Sequence, residues 1–210
     1  MTIPQLPDFQ TMESWTPGTV WFFWCGFETA GSVPAVVQPV LSWGQDDPTG
    51  YVGYGGFSHY EWLLSLWDVP GTDGQEVFQS PALSISPGDE LNFEVFFSGT
   101  QWRQTAKCVS GTCAGQNITL DVAYTDFAAS PTANLLLCES ELYGSLSNQW
   151  DFDVTWTAVT AIASNNQNVA NACVQAGSVS DGNGYATVSN LQVSWDENQC
   201  RWDSITLSPP

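Results

Sequence analysis

Glu90-Leu91-Asn92-Phe93-Glu94-Val95-Phe96-Phe97-Ser98 is the stretch that decides the fold class of this 210-residue chain. Leu91, Phe93, Val95 and Phe97 recur at every second position with Asn92 and Glu94 between them, the period of a half-buried β-strand. Ile118 to Thr125 repeats the pattern, with Ile118, Leu120, Val122 and Tyr124 on one face and Thr119 and Asp121 on the other. Working outward, further strand-like runs occupy Gly18 to Phe27, Pro34 to Trp43, Tyr51 to Trp67, Asn134 to Leu142, Phe152 to Ala163, Tyr185 to Trp195 and Trp202 to Leu207. Segments rich in Gly, Pro and Asp separate them, such as Asp46-Asp47-Pro48-Thr49-Gly50 and Ser86-Pro87-Gly88-Asp89. No sustained helical period interrupts the series. The pattern predicts an all-β chain of two packed antiparallel sheets, a jelly-roll or concanavalin-like β-sandwich. One domain over residues 1–210 is expected, with residues 1–17 as an N-terminal extension.

Composition narrows the partners. Twenty-two acidic residues against Arg103, Lys107 and Arg201 give a net charge of −19 at pH 7 and a pI near 4.1. Nucleic acid and anionic membranes both require a cationic footprint and are excluded as partners. The longest apolar stretch, Val20 to Phe27, falls far short of the roughly 20 residues a membrane helix needs. Only 12% of residues are charged while 43% are hydrophobic and eleven are Trp, so the chain has the means to build a core. A surface with so few cations does not depend on salt bridges that acid would break, which suits an acidic environment.

Six cysteines admit 15 complete pairings. Cys108 and Cys113 bracket Val-Ser-Gly-Thr, a short loop that a disulfide closes readily; Cys173 and Cys200 are a further candidate pair. Zinc is disfavoured, because His59 is the sole histidine and no second Cys pair has ligand spacing. Asn117-Ile118-Thr119 is a glycosylation sequon. Together with the disulfide reading it points to a secreted, extracellular protein, and the lack of a leading signal peptide is what a mature form would show.

The common catalytic inventories are missing from the sequence. A Ser or Cys nucleophile would have only His59 as base, no phosphate-cradling glycine loop is present, and the paired Asp-Thr-Gly turns of aspartic proteases are absent. Chemistry then rests on carboxylates, amides and water, with no cofactor. In Asn134-Leu-Leu-Leu-Cys-Glu-Ser-Glu-Leu142, Glu139 and Glu141 follow an apolar run and, two apart on a strand, project from one face. Carboxylates held together raise one another's pKa and so become useful in proton transfer.

Four ordered segments resemble the fungal glutamic peptidases, or eqolisins, which are pepstatin-resistant acid proteases. They are Trp24-Cys-Gly26-Phe-Glu28 running on to Ala35-Val-Val-Gln38, Tyr60-Glu61-Trp62, Ile85-Ser86-Pro87-Gly88-Asp89, and Leu136-Leu137-Cys138-Glu139. The likeness covers roughly residues 20 to 145. It departs where family members carry an additional N-terminal Asn-Trp-Gly strand, a Glu where Leu135 stands, and Tyr-Pro where Leu63-Leu64 follow. The resemblance implies a catalytic dyad of Gln38 and Glu139. Glu139 would be general base on water and then acid to the departing amine, and Gln38 would donate to the oxyanion. A carboxylate base of intrinsic pKa about 4.3 and an amide donor that never titrates both suit acid. The resemblance gives supporting places to Trp24, Tyr60 and Trp62, as packing or as walls of the substrate cleft, and to Glu28 and Glu61, which would position water or hold a neighbour's amide unless they are simply surface acids; Glu141, on the face of Glu139, could tune it. The substrate is then polypeptide and the protein a monomer. Two other readings share the composition. One is a jelly-roll glycoside hydrolase whose paired carboxylates are Glu139 and a residue such as Glu61; the other is a catalytically inactive polymer-binding sandwich.

Overall fold

The alternating runs form strands because period-two burial leaves each one apolar face to cover. A computed structural model describes residues 1–7, 19–44, 59–72, 74–144, 150–162, 185–194 and 198–209. In chain order the strands are β1 (Val20–Thr29), β2 (Val36–Gly44), β3 (Trp62–Val69), β4 (Phe78–Gln79), β5 (Leu83–Ile85), β6 (Glu90–Phe97) and β7 (Gln101–Ser110). They continue with β8 (Asn117–Ala123), β9 (Ala133–Tyr143), β10 (Val154–Ile162), β11 (Tyr185–Ser189), β12 (Gln192–Val193) and β13 (Gln199–Ser208). No helix occurs among the described residues. Residues 51–58, the first part of the predicted Tyr51 to Trp67 run, lie outside the described residues.

All pairings are antiparallel. One six-stranded sheet runs β4-β3-β2-β1-β9, with β5 also on β3. A three-stranded sheet, β6-β7-β8, and a four-stranded one, β10-β13-β11 with β12 on β13, complete the set. The sandwich expected from the sequence therefore has one continuous layer and a second divided between two sheets. Trp21, Phe23, Leu41, Trp43, Trp62, Leu64 and Leu66 from the large sheet meet Leu91, Ala106 and Cys108 from one small sheet and Val154, Trp156 and Leu207 from the other. Met1 and Ile3 join the same core, and Thr2 bridges to Glu90, so the start of the chain is packed in.

Strand β7 was not legible as one. Its buried face reads Trp102, Gln104, Ala106 and Cys108, and a glutamine in that row blunts the hydrophobic alternation. Gln104 is fully buried because its Nε2 donates to the Trp67 carbonyl at 2.7 Å and to Asp68 Oδ1 at 2.8 Å across the layers. The Ile85-Ser86-Pro87-Gly88-Asp89 turn is held by its aspartate, which accepts from the Ser86 N–H at 2.9 Å and from the Thr112 N–H at 2.5 Å.

The Cys108–Cys113 disulfide forms as its spacing predicts. A second bridge, Cys25–Cys138, joins neighbouring positions of β1 and β9 with Cα atoms 4.0 Å apart. Sequence reading did not find it, because the two cysteines come together only through strand pairing across 113 residues. Cys200 is disulfide-bonded; its expected partner Cys173 lies outside the described residues.

Candidate functional site

Residues directly opposite one another in antiparallel strands share a face, so register alone assigns the site. Trp24 stands opposite Glu139 on one side and Val40 on the other, and Phe22 stands opposite Glu141 and Ser42. Gln38 stands opposite Trp67. Phe27 pairs with Val37, which brings Gly26 against Gln38, and Leu137 faces Gly26 from β9. By alternation, Glu28, Gln38, Glu139, Glu141, Trp24 and Trp67 all project from one face of the six-stranded sheet. Trp21, Phe23, Leu41, Leu64 and Leu66 project from the other, into the inter-sheet core.

Gln38 and Glu139 are diagonal neighbours on this face, two strands and two residues apart, which sets their Cα atoms about 12 Å from each other. Between them lies Gly26. A Cβ on that glycine would fall on the Val37 carbonyl oxygen and 2.9 Å from Gln38 Cα, so any side chain there would fill the ground between the amide and the carboxylate. The β1–β2 connection pins this register: Thr29 N–H donates to the Ala35 carbonyl at 2.8 Å, and Ala35 N–H donates to Thr29 Oγ1 at 3.1 Å.

A cavity of about 200 Å³ opens on the same face, lined by Trp24, Val36, Gln38, Trp67, Val69, Val77 and Glu141. Gln38 is 6% exposed, and its Oε1 has no hydrogen-bond partner among the described residues. Glu141 is held at both oxygens: Trp24 Nε1–H donates to Oε1 at 2.8 Å and the Tyr143 hydroxyl to Oε2 at 2.9 Å. Burial first, then the charge of Glu141, pushes the Tyr143 hydroxyl up to about 12, so it remains a donor through the acid and neutral range. Glu139 is exposed beside this cluster. On the core side of β3, the face opposite the cavity, burial drives the Asp68 carboxyl up to about 7 against the lowering effect of the Gln104 hydrogen bond.

The remaining expected residues divide. Glu28, half-buried, sits opposite Val36 on the site face, next to Gln38 on the side away from Glu139. Trp62 is fully buried in the core and donates its Nε1–H to the Pro4 carbonyl at 3.1 Å; of the two roles open to it, packing is the one it has. Tyr60 is 72% exposed and its ring lies against His59, away from the cavity. Glu61 accepts from the Ser84 hydroxyl. On the sheet lattice Glu61 and Glu139 lie three strands and four residues apart, about 20 Å between Cα atoms, too far for the paired carboxylates of a retaining glycosidase, which stand about 5–5.5 Å apart. Asn117 is exposed at the start of β8, open to solvent as a glycan would require. Sequence reasoning missed Trp67 as a cavity wall. Strand parity was the available signal: Trp62 and Trp67 fall on opposite faces of one strand, so only one of them can reach the site.

No protein-family model and no curated protein matches the chain. Two solved structures are similar to it. Aspergilloglutamic peptidase from Aspergillus niger shares 17% identity over 91% of this chain and 99% of its own, with a TM-score of 0.46. Scytalido-glutamic peptidase, solved with a peptide-based transition state analog, shares 14% identity over 100% of this chain and 89% of its own, with a TM-score of 0.42.

Proposed function

We propose that this protein is an acid endopeptidase that hydrolyses peptide bonds with Glu139 as base and Gln38 as oxyanion donor. The observation that carries the reading is the register: the four-segment resemblance names these two residues, and strand pairing puts them on one face, diagonal across a glycine. The exposed Glu139 carboxylate takes a proton from a water as that water attacks the scissile carbonyl carbon. Gln38 Nε2–H donates to the carbonyl oxygen as it becomes negative, a contact whose loss typically costs about 10²–10³ in turnover. The carbon–nitrogen bond then breaks, and protonated Glu139 returns the proton to the leaving amine. The buried Gln38 amide is surrounded by indole and valine side chains, where a neutral donor keeps its strength and water competes little. Disulfides Cys25–Cys138 and Cys108–Cys113 suit an oxidising, extracellular setting.

The test is digestion of an acid-denatured protein from pH 2 to 7 in the presence of pepstatin. Cleavage confined to acid pH, unaffected by pepstatin, lost in Glu139→Gln and reduced about 10²–10³-fold in Gln38→Ala, is the expected result. Persistence of cleavage in Glu139→Gln would remove Glu139 from the mechanism.

A further inference from the structure

The cavity beside Gln38 is too small for a whole small-molecule ligand, which occupies roughly 300–1,000 Å³, and its about 200 Å³ suits one side chain. Its hydrogen-bonding groups are lopsided. The indole donors on its walls are spent, since Trp24 Nε1 is engaged by Glu141 and Trp67 Nε1 by Ser65 Oγ at 2.5 Å, and the Gln38 Nε2–H is the donor that the peptidase reading assigns to the oxyanion. Acceptors remain. Gln38 Oε1 is buried without a partner among the described residues, and each Glu141 oxygen has accepted one hydrogen bond where a carboxylate oxygen has room for two. The rest of the lining is apolar, Val36, Val69 and Val77, together with two indoles, the ring with the strongest attraction for cations.

We propose that this cavity is a substrate subsite for a lysine or arginine side chain, with Glu141 as its specificity-determining carboxylate. The inference rests on the peptidase reading above and names the substrate that site would take. A long aliphatic stem packs along the valines and indoles while its cationic head donates to Glu141 and Gln38 Oε1. A head seated on Oε1 also turns the Gln38 amide so that its Nε2–H faces outward, toward the peptide group. Charge-assisted hydrogen bonds are about twice as strong as neutral ones, which favours a cation over a hydroxyl or amide of similar reach. Glu141 is unsuited to be the base itself, because both of its oxygens are already held by donors; Glu139 is the more exposed of the two carboxylates. A metal ion is a poorer fit, since Glu141 is the only carboxylate on the described lining and hard cations take six or more oxygens.

The test compares N-acetylated peptides that differ only by lysine or norleucine, moved through the positions flanking the cleaved bond, at pH 5. In the wild type kcat/KM favours lysine at one position by about tenfold or more, and in Glu141→Gln, which keeps an acceptor for Trp24, the ratio falls to about one. A ratio near one in the wild type, or one that survives Glu141→Gln, overturns the subsite. A norleucine peptide with a free amino terminus that matches the lysine peptide also overturns it, by assigning the cavity to a terminal ammonium. If no peptide is cleaved at all, the peptidase reading fails, and the cavity is then decided by ligand-observed NMR. Selective binding of N-acetyl-lysine methylamide over its norleucine counterpart, lost in Glu141→Gln, sustains it, and equal binding rejects it.

Discussion

Gly26 is the residue on which the site's geometry turns. It stands between Gln38 and Glu139, and a methyl group there would meet the Val37 carbonyl and the Gln38 Cα, both backbone and unable to swing aside. Gly26→Ala is therefore expected to lower stability by about 1–3 kcal/mol, the usual cost of overpacking. It should also depress activity by more than that loss explains, because the strand carrying Gln38 is what must move. Chemical denaturation alongside kcat/KM at a temperature where both proteins are folded checks it; a stable Gly26→Ala with unchanged turnover would show that the space is not needed. At this scale the sequence was legible where chemistry broke a pattern. Gln38 stood out as the polar residue in an apolar run, and Glu139 as the acid that ends one. Trp67 and the Trp24–Glu141–Tyr143 contacts were not legible, because which indole reaches which carboxylate depends on register between strands more than a hundred residues apart.

Pairing of β1 with β9 is the element on which the proposed dyad depends, since it alone brings Glu139 beside the β1–β2 hairpin. The two strands form the most extensive ladder of the large sheet, and the Cys25–Cys138 bridge fastens it one residue from both Trp24 and Glu139. Closing a loop of 113 residues removes unfolded-chain entropy worth about 4–5 kcal/mol in the polymer model. The double variant Cys25→Ala, Cys138→Ala is expected to melt roughly 8–20 °C lower, with Gln38→Ala-like loss of activity appearing only as β9 begins to detach. Calorimetry and amide exchange on β9 would show it; an unchanged melting temperature would mean that the ladder hydrogen bonds hold β9 without the bridge. Strands with clean alternation, β6 and β8, were readable from their period, whereas β2 and β3 are buried at nearly every position and lose that contrast. Strand β7 was hidden by Gln104, a core residue whose partner, Asp68, is on another sheet.

That same pair decides how the whole molecule responds to pH. A chain of net charge −19 at pH 7 repels itself when its carboxylates ionise, and Asp68 adds a local reason for preferring acid. Both Gln104 Nε2 hydrogens are used, on Trp67 and on Asp68 Oδ1, which leaves Asp68 Oδ2 and Gln104 Oε1 as two buried acceptors with no partner among the described residues. A proton on Asp68 supplies the donor that two acceptors lack. Burial raises this carboxyl from 3.8 to about 7, with Asp121 adding to the rise and the Gln104 bond opposing it. The folded state thus holds the proton more tightly than the unfolded one. The stabilisation is complete below about pH 4 and is lost as pH climbs toward 7, opposite in sign to ordinary acid denaturation. A shift of this size corresponds to at most about 4 kcal/mol at 1.36 kcal/mol per pH unit. Asp68→Asn places a permanent donor where the proton would sit and cannot ionise. The variant is expected to match the wild type near pH 4, to exceed it by up to a few kcal/mol at pH 7, and to flatten the fall in stability between. Urea unfolding at steps of pH from 3 to 8 measures this directly, and parallel curves for the two proteins would show that Asp68 is charged throughout and that the pH response lies in the surface carboxylates alone.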